Sequence, residues 1–313
     1  MAGSAPGATL VAMQISAHLV AAVALLATLL VIVFAESSLR RRIRHFRSFQ
    51  LFVITSGFLL IPANVVASGA TTATTFHRAV LVASAGTVIA QLVVGAVATI
   101  GPKPVARPRR VLAIGAHPDD LELACGGTLA RLADAGHEIH ALVMSDGSVG
   151  GNAATRPDEA YRGAAFMGLA ECTVVGLPDT RLSSHEQEMV EAIEAKLRSL
   201  SPDLVLTHSR NDQHQDHAAV HWATMRAGRK HPAILCFESP SVTKDFSPQV
   251  FVDIDDYLDV KASAVAIHHD QSDKPYMGRD TLHAMATFRG SQSKLGVAEG
   301  FEAVRVPGFG GVL

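Results

Sequence analysis

Aromatic side chains are scarce in this chain: 313 residues hold one Trp, three Tyr and 13 Phe, about 5% of the total, although 48% of residues are hydrophobic. Such an aliphatic composition, with a positive mean hydropathy, is unusual for a single soluble core and directs attention to membrane spans. Cysteine is scarce as well. Cys125, Cys172 and Cys236 are widely separated and form no C-x-x-C pair, which excludes a disulfide framework and leaves them as small buried hydrophobes. Neither sign of charge dominates, the formal net charge being −2, so the chain as a whole offers no electrostatic case for a nucleic-acid partner. Internal repeats and long low-complexity segments are missing. So is a G-x-G-x-x-G turn after the first strand of the C-terminal part, which argues against a dinucleotide site.

Charge is also missing from three long apolar runs, Leu10 to Ala35, Leu51 to Gly69 and Ala79 to Ile100, none of which contains Lys, Arg, Asp or Glu. Each has the ~20 residues needed to cross a hydrocarbon core of ~30 Å. A cleaved signal peptide is the rival for the first run, but no basic segment precedes it and its apolar stretch exceeds the usual ~7–15 residues. Arg40, Arg41, Arg42, Arg44 and Arg47 separate the first two runs, and Lys103, Arg107, Arg109 and Arg110 follow the third. The positive-inside rule therefore predicts an integral membrane protein with three transmembrane helices, its N-terminus outside and its C-terminal domain in the cytoplasm. The same arginines could touch anionic membrane lipid. This divides the chain into an anchor (1–100), a proline-rich linker (101–108) and a soluble domain (109–313).

Within 109–313, short apolar runs alternate with segments of helical period. Strands are expected at Val111–Ala116, His137–Met144, Thr173–Val175, Leu204–Thr207 and Ala233–Phe237. Helices are expected at Leu121–Ala135, Asp158–Leu169, Glu186–Leu200 and His217–Gly228. Beyond these lie strand-like Phe251–Asp255 and Phe301–Val306, helix-like Tyr257–His269 and Gly278–Gly290, and a frayed tail at 308–313. The order implies an α/β fold, a Rossmann-like, mostly parallel sheet with helices on both faces. Ligands on such sheets bind at the carboxyl ends of the strands.

Two polar clusters fall at those ends. His117-Pro118-Asp119-Asp120-Leu121-Glu122 follows the first strand, and His214-Gln215-Asp216-His217 lies in the loop after Leu204–Thr207. Taken alone, Asp119 or Asp120 would read as helix N-caps. Taken together, His117 and Asp120 in one tight loop, with His217 from another crossover, make a three-ligand site of the catalytic zinc type. Asp119 is then free to take a proton from bound water, while His214 and Asp216 stand behind the ligands or act as acids. Two histidines and an aspartate suit zinc, and also another divalent ion such as Fe2+. His208 and His221 lie near the cluster in sequence, with packing roles at least as natural for both. His18, within the first apolar run, is an intramembrane ionisable residue without a nameable partner.

These motifs resemble those of the PIG-L/LmbE-like zinc-dependent N-acetylglucosaminyl deacetylases over roughly 109–306. The A-H-P-D-D-x-E signature stands at Ala116–Glu122 and H-x-D-H at His214–His217. Weaker matches are Asp146-Gly147, Arg156, Glu159, Gly176 to Asp179, and the late Lys261, His268 and Gln271, where Asp270 replaces a usual serine. The resemblance implies His117, Asp120 and His217 as zinc ligands and Asp119 as general base. It implies His214 as the residue that stabilises or protonates the intermediate, Asp216 as its orienting partner, and Arg156 and Asp179 as sugar contacts. The implied reaction is hydrolysis of the N-acetyl group of a GlcNAc-type substrate. The anchor suggests a lipid-linked sugar, although spans could equally dock a partner. The alternatives are an amidase cleaving a glycoside conjugate and a sugar-binding membrane scaffold without turnover.

The topology is open to a direct check: a C-terminal green fluorescent protein fusion is expected to fluoresce and a C-terminal alkaline phosphatase fusion to be inactive in a bacterial host. The opposite pair of results would reverse the orientation.

Overall fold

A run of apolar residues unbroken by charge can stay helical over the thickness of a bilayer, because every internal backbone group is bonded within the helix. The computed structural model describes residues 6–69, 75–101 and 104–306. The expected tail at 308–313, the centre of the loop between the second and third runs, and Pro102 and Lys103 of the linker lie outside the described residues. The chain forms two compact units, Met1–Ile100 and Gly101–Leu313.

The first unit consists of α1 (Pro6–Phe34), the short α2 (Glu36–Arg42), α3 (Phe46–Ser68) and α4 (Thr75–Ala98). Three of these are long and apolar enough to cross a membrane: Met13–Phe34, Phe46–Ser68 and Thr75–Ala98. Their outward surfaces carry exposed Val31, Phe58, Leu59, Val82 and Val97, as a lipid-facing surface would. Arg44 N–H donates to Ala98 O and Ile100 N–H to Arg42 O, each at 2.8 Å. The arginine-bearing loop and the C-terminal end of α4 therefore share one end of the bundle. Inside, His18 acquires the partner that the sequence withheld. Its Nδ1 lies 2.9 Å from Asn64 Oδ1, and Asn64 Nδ2 donates to Leu60 O at 2.8 Å and to Ser84 Oγ at 2.7 Å. With both Nδ2 protons used, Asn64 can only accept from His18, so one polar chain ties three helices together.

The second unit is a seven-stranded sheet of order β3-β2-β1-β4-β5-β7-β6. Its elements are β1 (Arg110–Gly115), α5 (Asp120–Asp134), β2 (Glu138–Ser145), α6 (Arg156–Met167), β3 (Glu171–Leu177), α7 (Glu186–Leu200), β4 (Leu204–His208), α8 (Gln215–Ala227), β5 (Ile234–Phe237), β6 (Val250–Asp253), α9 (Leu258–Val265), α10 (Arg279–Ser293) and β7 (Ala298–Arg305). The first five strands pair in parallel, and β7 pairs antiparallel with both β5 and β6. The sheet is thus mixed rather than parallel throughout. α7 and α8 cover the face bearing Leu112, Ile114, Leu142, Met144 and Val205. α5 packs on β1 and β2 together with α6 and α9.

α5 is broken at Cys125 (φ −141°, ψ 20°). The break frees N–H groups that Glu299 of β7 accepts, from Gly127 at 3.1 Å and Thr128 at 2.7 Å. Lys261 Nζ in turn donates to Glu299 at 2.6 Å. Gly127 is needed here for packing, because a Cβ would come within 3.0 Å of Ile254. Lys261→Met would leave the buried Glu299 carboxylate without its cation. Loss of about 3 kcal/mol is expected, the low end of the cost of breaking a buried pair because two N–H donors remain. The check is the denaturant midpoint of the full chain in detergent.

Candidate active site

The loop between β1 and α5 has to turn tightly, and it does so by straining one residue. Asp119 has φ +125°, a conformation that L-residues rarely hold and that persists only where the surroundings enforce it. Here the surroundings are Arg156, whose guanidinium donates to Pro118 O at 2.8 Å, to Asp119 Oδ2 at 3.2 Å and to Gly147 O at 2.9 Å. The strain turns the Asp120 carboxylate back over the end of β1, where Oδ2 accepts from Ala116 N–H at 2.9 Å and His117 N–H at 2.7 Å.

Around this carboxylate the two sequence clusters meet. His217 Nε2 lies 3.3 Å from Asp120 Oδ1, and His117 Nδ1 lies 3.5 Å from Oδ2. The His117 and His217 rings are 5.4 Å apart, and His214 stacks on His217 at 4.5 Å and meets His117 edge-on at 4.8 Å. Of this group His214 is the least buried. Three sets of side chains have ligand atoms within 4.8 Å of one another: His117, His214 and His217; Asp120, His208 and His217; and His117, Asp179 and Asp216.

The electrostatics call for a cation. Asp119, Asp120, Asp179, Asp212 and Asp216 are all buried here. Burial works against a charged His217, yet Asp120 and Asp212 raise its pKa to about 9. His117 is likewise raised well above its ordinary value, against burial, by Asp120, Asp179 and Asp216. Two histidines driven to accept protons among five carboxylates mark a place where a divalent ion would be compensated, so the donor set fits a metal. Asp119 behaves differently: burial and then the Asp120 charge push its pKa up to about 6, against the pull of Arg156. His214 is lowered by burial and then by His217 and His117.

Several of the expected site residues have protein partners. Arg156 and Asp179, read as sugar contacts, are buried (3% and 4% exposed) and committed to the protein. Asp179 Oδ2 accepts from Val149 N–H at 2.8 Å and Gly150 N–H at 3.0 Å, and a Cβ on Gly147 would strike the Arg156 guanidinium. Both side chains shape the 147–151 loop rather than project from it. Asp216 was expected to orient His214. Its carboxylate instead accepts from Thr180 N–H at 2.7 Å and Leu182 N–H at 3.1 Å and lies 3.2 Å from His117 Nε2. His214 Nδ1 meets only the backbone N–H of Asp216, at 3.3 Å. Glu122 pairs with His268 at 3.3 Å, and Asp270 accepts from Asn152 N–H at 3.0 Å, clamping the loop from the other side.

Asp212 is the residue that sequence reasoning missed. Its Oδ2 lies 2.9 Å from His217 Nδ1 and also accepts from Ser239 Oγ, and its Oδ1 accepts from His214 N–H at 2.9 Å and Ser241 Oγ at 2.7 Å. A carboxylate on Nδ1 fixes the tautomer and leaves Nε2 free as a ligand nitrogen. The only sequence signal was an acid five residues before His217 in the same loop.

Among known proteins, the family described as GlcNAc-PI de-N-acetylase (PIG-L) matches residues 112–228. An uncharacterized deacetylase, YaiS, of Escherichia coli is 39% identical over 165 residues, covering 50% of this chain and 89% of that protein. A diacetylchitobiose deacetylase of Thermococcus kodakarensis is 28% identical over 223 residues, covering 63% and 83%. The crystal structure of a conserved Thermus thermophilus protein superimposes with a TM-score of 0.56 at 27% identity, over 63% of this chain and 94% of that one.

Asp212→Ala is expected to weaken divalent-metal binding about 10–100-fold, the usual cost of losing a partner behind a ligating histidine. Competition with a chelator of known affinity measures it.

Proposed function

Because the chain belongs to the PIG-L/LmbE-like family of N-deacetylases, we propose that it is a membrane-anchored metal hydrolase that frees acetate from an N-acetylated amino sugar, with Asp119 as general base. That it is a hydrolytic deacetylase cutting an amide C–N bond follows from the family itself. The finer reading rests on one observation: a strained, buried Asp119 is held by Arg156 directly beside the cluster of His117, Asp120, His214 and His217.

In this reading His117, Asp120 and His217 hold the ion, zinc by donor type. Asp216 and Asp212 hold the two histidines, through His117 Nε2 and His217 Nδ1. When bound, the ion lowers the pKa of a coordinated water toward ~7 and polarises the acetamide carbonyl. Asp119 takes the proton of the attacking water as its oxygen bonds to the carbonyl carbon. A carboxylate whose pKa is pushed up to about 6 is better matched to that task near neutrality than an ordinary aspartate. His214, the most open of the three histidines, meets the oxyanion and can give its proton to the amine nitrogen. The C–N bond breaks, leaving acetate and a free amino sugar.

Three apolar helices support membrane integration, and arginines gathered at one end of the bundle support a cytoplasmic catalytic domain. Together they favour a lipid-linked GlcNAc over a freely diffusing one. Acetate release from free, inositol-linked and lipid-linked GlcNAc separates these substrates.

Asp119→Asn is expected to keep its metal and lose roughly 10²–10⁴-fold in turnover, and a near-normal rate would remove it as the base. His217→Ala is expected to lose the metal, which elemental analysis reads directly.

A further inference from the structure

Beneath the cluster lies a histidine that the reaction above does not use. His208, the last residue of β4, is wholly buried. Its Nε2 is 3.1 Å from Asp120 Oδ2, and its ring lies against that of His217 at 3.9 Å, nearly parallel, with Phe237 edge-on at 4.7 Å on the ring. His221 of α8 holds the His208 carbonyl through Nδ1 at 2.9 Å. The ring is thereby confined between β4, α8 and the ligand loop, out of reach of substrate.

The protonation of this ring follows from its neighbours. Ala116 N–H points at both Asp120 Oδ2, at 2.9 Å, and His208 Nε2, at 3.0 Å. A carboxylate oxygen only accepts, so the shared Ala116 proton goes to the charged oxygen and a bare Nε2 would set its lone pair against Oδ2 at 3.1 Å. Nε2 therefore carries the proton. Nδ1, buried without a hydrogen-bond partner, is the bare nitrogen. Asp120 Oδ2 then receives three donors: Ala116 N–H, His117 N–H and His208 Nε2–H. Oδ1 is left for His217 and the ion.

We propose that His208 is a positioning residue for the metal site: it fixes Asp120 through Oδ2 and supports the His217 ring from below, so that two ligands are already oriented when the ion arrives. The inference rests on the assignment of His117, Asp120 and His217 as ligands. Preorganisation of this kind acts on metal affinity, since an unheld carboxylate must be ordered at the moment of binding.

The test is Co2+ binding to the metal-free full chain in detergent, followed by its visible spectrum. His208→Phe keeps the ring stack and removes the donor, and affinity is expected to fall about 10–100-fold. The spectrum of the saturated variant and its kcat at saturating metal should match those of the parent. His208→Gln, whose amide N–H can reach Asp120, is expected to recover most of the affinity, and His208→Asn, with a shorter side chain, is not. Parent affinity in His208→Phe and His208→Asn would overturn the proposal. So would a changed ligand field in the saturated variants, which would make His208 itself a ligand. A fault in the underlying assignment shows separately, as parent affinity in His217→Ala.

Discussion

Burying the Asp120 carboxylate removes an ion from water, and an unpaired ion in a protein interior costs several kcal/mol. The rest of the second unit is organised around that charge. Backbone N–H groups at the end of β1, His208 beneath and His217 beside it each meet one direction of the carboxylate. The remaining acids spread outward from there, Asp212 and Asp216 each behind a histidine. A site built this way is rich in carboxylates, and a divalent ion bound there would offset them while supplying the chemistry of the proposed reaction.

The sheet delivers these groups with few moving parts. β1 and β4 are neighbouring inner strands, so their carboxyl ends and the loops after them bring His117–Asp120 and His208–His217 together. The loop at 147–151 is closed over Arg156 by Asp179 and clamped by Asp270 and Gln271. Arg156 thus serves the strained turn at Asp119 and the loop above it at once.

Much of this was legible in the sequence because the signals were local. A buried strand followed by His-Pro-Asp-Asp announces both a turn and a site, and the expected bounds of Glu186–Leu200 match α7. The missed features depend on tertiary contact. The antiparallel pairing of β7 with β5 and β6 leaves no mark in side-chain alternation, which gives faces and not directions. The break in α5 reads as continuous helix until Glu299 is known to cap it. Asp212 was missed because its partner, the inward face of His217, exists only once α8 has docked. The family resemblance implied Asp216 as the partner of His214, whereas the fold turns its carboxylate toward Thr180, Leu182 and His117. His18 of the anchor is a similar case: only the packing of α1 on α3 shows that it has Asn64 to bond.

The cap that Glu299 places on α5 also sets an order in time. Gly127 and its acceptor are separated by 172 residues. A ribosome adding ~5–20 residues per second would deliver the second roughly 10–35 s after the first. During that interval the ligand loop has been made, but the helix behind it still has open N–H groups and Lys261 has no acid to neutralise. The proposed ligands of the first loop thus wait for the last described strand, and a nascent chain stalled before β7 would hold all of them without a finished scaffold to fix them.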